Sequence, residues 1–154
     1  MNAPLLVLGW GNRSRGDDAL GPLFVEQLRA ACPERDDVEW LDDYQLQIEH
    51  ALDLVGRERV LLVDASLKAA PPFETSMVEA SEDASFSTHA LSPQAVLQVF
   101  REVHHAEPPP CTLLALRGEQ FELGSAPSAA ALQHLQAALR WGLGWLSASA
   151  STTS

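Results

Sequence analysis

Residues 5–21 read LLVLGWGNRSRGDDALG, and this stretch decides the fold. Leu5 to Gly9 is a short, continuous apolar run closed by glycine, the pattern of a strand covered on both faces by helices. Asp18 to Ala31 follows, with Leu20, Leu23, Phe24, Leu28 and Ala31 at helical spacing before Pro33 stops the helix. A strand, a glycine loop and a helix in this order open a βαβ unit. Between them Gly9 and Gly11 resemble the start of a dinucleotide loop, yet Ser14 occupies the place of the third glycine in GxGxxG. The loop then ends in Asp17-Asp18, where a phosphate-binding helix start offers bare N–H groups. A pyrophosphate site is therefore disfavoured. One carboxylate of the pair, Asp17 most readily, is expected to cap the following helix, which leaves Asp18 for a ligand.

The pattern repeats along the chain. Val38 to Leu41 is a second strand, and Gln47 to Val55 is a helix with Ile48, Ala51, Leu52 and Val55 on one face, ending at Gly56. Val60 to Val63 is a second fully apolar strand that delivers Asp64 at its carboxyl end. Phe73 to Glu79 reads as a strand too, but Ala65 to Pro72 holds no helix, and parallel neighbours need a crossover of about a dozen residues. The fourth strand is thus expected to run antiparallel to its neighbour. Ser92-Pro93 starts a helix with Val96, Leu97, Val99, Phe100 and Val103 on its face. Cys111 to Leu116 is the last strand, and Ser128 to Leu146 a closing helix with Leu132, Leu135, Leu139, Leu143 and Leu146. The expected fold is a three-layer α/β/α sandwich: a mostly parallel sheet of about five strands with one antiparallel strand and helices on both faces. Residues 1–147 form a single domain, and 148–154 read as a frayed tail.

Composition narrows the function. The chain has 154 residues, 46% of them apolar, and a net charge of −11. That length suits one self-sufficient core. Its acidity argues against nucleic acid and against an anionic membrane surface, since both reward a basic face. The apolar start stops at Gly9, short of a signal peptide or a membrane span, so a cytoplasmic protein is expected. Cys32 and Cys111 form no CxxC pair and read as small buried hydrophobes.

Ligands of open α/β sheets bind beyond the carboxyl ends of the strands, near the point where strand order reverses. If the first and third strands are neighbours, their ends lie about 5 Å apart, and Asp18 and Asp64 can reach one ion. Alone, Asp64 serves a turn as readily as a ligand. His89 shifts that balance. An antiparallel fourth strand ends on the opposite edge, so residues 80–88 must climb back, and at about 3.3 Å per residue they span roughly 30 Å. His89 then arrives beside Asp18 and Asp64, an oxygen and nitrogen set suited to a first-row divalent ion with open positions. The other histidines give weaker signals. His104 and His105 read as solvated surface, His50 beside Glu49 as either site or surface, and His134 has no partner in view. No G-x-S-x-G or H-E-x-x-H run occurs, which weakens serine-hydrolase and zincin readings.

Four stretches together resemble the maturation endopeptidases of nickel-iron hydrogenases: LVLGWGNRSRGDDALG (6–21), VLLVDAS (60–66), STHALS (87–92) and RGEQFELG (117–124). GWGN-x-SRGDDALGP, together with YQLQIEHALDL (44–54), is most similar to the subgroup serving NAD-reducing soluble hydrogenases. The resemblance implies an enzyme that removes a C-terminal extension from the large-subunit precursor after nickel insertion. It also implies that Asp18, Asp64 and His89 are the metal-contacting residues. The mechanism expected from this set is that the precursor brings the nickel, with Asp17 as proton acceptor or loop holder and no organic cofactor. The family often carries Glu at the place of Asp18 and Gly at that of Ala90. A monomer is expected. A non-catalytic nickel-checking chaperone of the same precursor is the alternative, and a nucleotide-binding module ranks third.

Overall fold

The computed structural model of the chain describes residues 2–82 and 91–148. Five strands form one sheet: β1 (Leu5–Trp10), β2 (Val38–Asp43), β3 (Arg59–Ser66), β4 (Phe73–Met77) and β5 (Cys111–Arg117). The helices are α1 (Leu20–Ala31), α2 (His50–Asp53), α3 (Pro93–His104) and α4 (Ala129–Ser147), and a 3-10 turn over Gly16–Ala19 leads into α1. Strand order is β2-β1-β3-β5-β4, all parallel except β4. The chain runs from β1 to β2 on one side and continues with β3 on the other, so strand order reverses between β1 and β3. The fourth strand is antiparallel as expected, but its partner is β5. The later strand inserts between β3 and β4, because the short connection after β3 passes over a gap that β5 fills.

Every residue of β1 is buried, and its alternation sorts the two sides of the sandwich. Leu5 and Val7 share one core with Leu20, Phe24 and Leu28 of α1 and Ala131, Leu135 and Ala138 of α4. Leu6, Leu8 and Trp10 share the other with Leu46, Ala51 and Leu54 around α2 and Val96, Leu97 and Phe100 of α3. Burying a side chain such as Phe24 contributes about 1.5–3 kcal/mol, so these two layers supply most of the drive to fold. Ser92 and Ser128 cap α3 and α4 by accepting from the backbone N–H of Ala95 and Ala131.

Three helix faces differ from the sequence-based expectation. On α4 the buried residues are Ala131, Leu135, Ala138, Gly142 and Leu146, whereas Leu132 and Leu143 are exposed. Close approach to α1 selects the small residues: a Cβ on Gly142 would lie 2.8 Å from Phe24 Cζ. Around α2 the core takes Leu46, His50, Ala51 and Leu54, and Ile48, Leu52 and Val55 point outward. This helix is also shorter than the expected span of 47–55, with turns on either side of its four helical residues. Val103 on α3 is exposed as well.

Candidate active site at the carboxyl edge of the sheet

The loop after β1 folds back on itself. Gly11 has φ +148°, and a Cβ there would come within 1.9 Å of the Asp18 carbonyl oxygen, so only glycine fits. Asn12 then donates its backbone N–H to Asp18 Oδ2 at 2.8 Å, while its own side-chain oxygen accepts from Ser14 N at 2.8 Å. Asp18 is thereby fixed at the carboxyl edge beside the β1 end, half-buried.

Asp64 occupies the neighbouring strand. The β1–β3 register pairs Gly9 with Val63, which puts Asp64 next to the end of β1. Burial pushes its carboxyl up to about 7, and the nearby charge of Asp18 adds to the rise. The Ala65 N–H, donating at 2.8 Å, and the Trp10 side chain pull the other way. Asp18 and Asp64 thus stand at the same switch point, where the charge of the first adds to the proton affinity of the second.

Asp17 goes elsewhere, which corrects the expectation that it caps its own helix; of its two expected roles, proton acceptor or loop holder, its partners suit the second. It is fully buried, and neither the 3-10 turn nor α1 has a side-chain cap. Its carboxylate accepts from Glu119 N (2.7 Å), Gln120 N (3.1 Å), Ser128 N (2.6 Å) and Ser128 Oγ (2.8 Å). Burial acts to raise its pKa, but the Ser128, Glu119 and Gln120 hydrogen bonds outweigh that and hold it below the usual carboxylate value. Such a group stays ionised and is a poor proton acceptor. The negative charge also sits at the start of α4, where the helix dipole favours it. Further backbone bonds, Asp17 N to Gln120 O at 2.8 Å and Gly16 N to Ser125 O at 3.0 Å, lock the acid loop to the loop after β5.

His89 lies outside the described residues. Among those described, no three His, Cys, Asp or Glu side chains form a group able to hold a metal ion. Two of the other histidines are occupied, and His104 instead packs its ring on Phe100, 4.6 Å between centroids, with Nε2 buried and unpartnered. His50 Nδ1 accepts from Gln47 N at 2.8 Å while Nε2 lies 3.2 Å from Asp43 Oδ2, and His134 Nδ1 lies 3.0 Å from the Arg117 carbonyl. Both cysteines are buried and free, and burial pushes the Cys111 thiol up to about 12, which removes it as a nucleophile. Sequence reasoning missed Ser128 and Tyr44. Ser128 anchors Asp17, and Tyr44 Oη accepts from Asn12 Nδ2 at 2.8 Å, which ties the acid loop to the segment after β2. No local pattern announces either partner.

The fold and this edge define a class: an open α/β sandwich with two interacting carboxylates at its switch point. No protein-family model and no curated protein matches the chain. Solved structures do. The [NiFe] hydrogenase maturation protease HycI of Thermococcus kodakarensis KOD1 superposes with TM-score 0.69 at 21% identity, over 90% of this chain and 89% of that one. The hydrogenase maturating endopeptidase HybD of E. coli gives 0.68 at 27% identity over 95% and 92%, and the hydrogenase 2 maturation peptidase of Thaumarchaeota archaeon SCGC_AB-539-E09 gives 0.68 at 25% over 92% and 97%. These neighbours are peptidases, hence hydrolases.

Proposed function

We propose that this protein is an endopeptidase that removes the C-terminal extension of a nickel-loaded [NiFe]-hydrogenase large-subunit precursor. The observation that carries the reading is the placement of Asp18 and Asp64 at the carboxyl edge where strand order reverses between β1 and β3, on a fold shared nearly end to end with a hydrogenase maturating endopeptidase. Asp18, Asp64 and His89 would dock the nickel that the substrate brings, and Asp64 would release its proton as the cation arrives. Held by these residues, the ion would supply Lewis acidity toward the scissile carbonyl or a water, with no organic cofactor. Asp17 is assigned to holding the loop.

The two described ligands are carboxylates, and no thiolate lies among them. Such a site inspects a nickel ion held by its owner without competing strongly to remove it. The YQLQIEHALDL stretch supports a partner of the NAD-reducing, soluble class, and a monomer working in the cytoplasm fits that partner. No helix among the described residues is long and apolar enough to cross a membrane.

The test is to mix the purified protein with nickel-loaded and nickel-free precursor and to follow precursor mass. Shortening of the loaded form alone supports the proposal. Binding to the loaded form without shortening identifies a nickel-checking chaperone instead, and shortening of both forms removes nickel from the reaction.

A further inference from the structure

The segment following β2 carries an outward apolar row that the core does not use. Tyr44, Ile48, Leu52 and Val55 are 64%, 50%, 61% and 40% exposed. They account for four of the ten exposed large hydrophobics among the described residues, all within one short stretch. Successive turns present Ile48, Leu52 and Val55 on one side, because Ala51 N–H donates to Ile48 O at 3.0 Å and Val55 N–H to Leu52 O at 3.3 Å. A concentration of this kind on a surface marks an interaction site.

The row is continuous with the candidate active site. Tyr44 Oη accepts from Asn12 Nδ2 at 2.8 Å, and the Asn12 N–H holds Asp18 Oδ2 at 2.8 Å. Between Tyr44 and the acid loop lies a recess of about 310 Å³, lined by Asp42, Asp43 and Arg13. The one guanidinium is shared, 2.9 Å from Asp42 Oδ2 and 3.2 Å from Glu26 Oε1, and Asp43 Oδ2 has, among the described residues, only His50 Nε2 at 3.2 Å, so acids outnumber the permanent cation. From residue 42 to residue 55 the chain has four carboxylates, Asp42, Asp43, Glu49 and Asp53, and no Lys or Arg.

We infer that this face docks the polypeptide substrate of the same site, through a substrate surface that is apolar at its centre and basic at its rim. The inference rests on the peptidase reading above. Charge selects this occupant over a second copy: a copy would bring the same acids against this face on a chain of net charge −11, whereas a basic-rimmed surface is attracted to it. Adjacency selects it too, since whatever covers Tyr44 also covers the edge where Asp18 stands. A basic side chain of the substrate enters the Asp42–Asp43 recess, and the apolar row fixes the register of the scissile segment relative to the two carboxylates.

The experiment uses the full chain, the double variant Ile48→Ser/Leu52→Ser, and nickel-loaded large-subunit precursor. Calorimetric binding, cleavage and sedimentation are read separately. Both substituted side chains are exposed, so the variant keeps its melting temperature. The expected result is a Kd and KM raised by about tenfold or more, with kcat at saturating precursor within about twofold, since hot-spot truncations act on affinity. Wild-type binding is expected to weaken as salt rises. Unchanged binding by the variant overturns the inference, as does a wild-type dimer that the variant splits, which makes the face a self-interface. A wild type that binds without cutting, alongside a variant that does not bind, contradicts the peptidase reading and supports the docking face. A wild type that neither binds nor cuts overturns both.

Discussion

The carboxylate of Asp17 accepts two hydrogen bonds from Ser128, one from its backbone N–H at 2.6 Å and one from its hydroxyl at 2.8 Å, across 111 residues of chain. Ser128 in turn accepts from Ala131 N–H at 3.2 Å at the first turn of α4. One buried acid thus ties the loop after β1 to the start of the closing helix, and the adjacent acid, Asp18, is held facing the open edge.

Asp17→Ala leaves four donors without their acceptor and is expected to lower stability by about 3 kcal/mol or more in urea unfolding. Asp17→Asn keeps one acceptor oxygen and costs less. Because the folded pKa lies below the unfolded value of 3.8, the Asp17 contribution is present above that pH and is lost as pH falls through the lower folded value. Wild type and Asp17→Asn should therefore converge in stability at strongly acid pH. A constant difference down to pH 2 would contradict the assignment.

Asp64 has the opposite sign. Its folded pKa of about 7 exceeds 3.8, so the folded state binds the proton more tightly, and stability falls as pH rises from about 4 to about 7. Asp64→Asn, which carries no charge to desolvate, is expected to be more stable than wild type at pH 8. The gain is up to about 4 kcal/mol, at about 1.4 kcal/mol for each tenfold change in proton affinity, and is reduced by solvent screening at this half-buried position. The two proteins should melt together near pH 4. Equal melting temperatures at pH 8 would contradict a half-buried Asp64 whose surroundings favour its protonated form.

Gly21 lets α1 start against the ends of β1 and β3. A Cβ there would lie 2.4 Å from the Trp10 carbonyl oxygen and 2.9 Å from that of Val63. Both neighbours are backbone, so the helix must move. Gly21→Ala is expected to cost about 1–3 kcal/mol despite the better helix propensity of alanine, read as a lower denaturation midpoint. A stabilised variant would show that the helix approaches the strand ends less closely than these distances imply.

The glycine loop and the two fully apolar strands carry most of the architecture, because a buried parallel strand leaves a pattern that few other elements share. Helix faces are less legible. On α4 the exposed Leu132 and Leu143 outweigh Ala131, Ala138 and Gly142 in the periodicity, although close packing on Phe24 needs the small residues. Around α2 the row Ile48, Leu52 and Val55 reads as core for the same reason: an apolar stripe marks a buried surface without saying what buries it. Asp64 is legible from its place at a strand end. That Asp17 takes the structural part and leaves Asp18 free is legible too, but what Asp17 holds is not, since its partners Glu119, Gln120 and Ser128 are more than a hundred residues distant.

The most direct test is the rate at which Asp64→Asn shortens nickel-loaded precursor at pH 8, where this variant is expected to fold at least as stably as wild type. If Asp18 and Asp64 together dock the substrate's nickel, the rate falls at least about 100-fold with the fold intact. A rate within a few-fold of wild type would contradict the account.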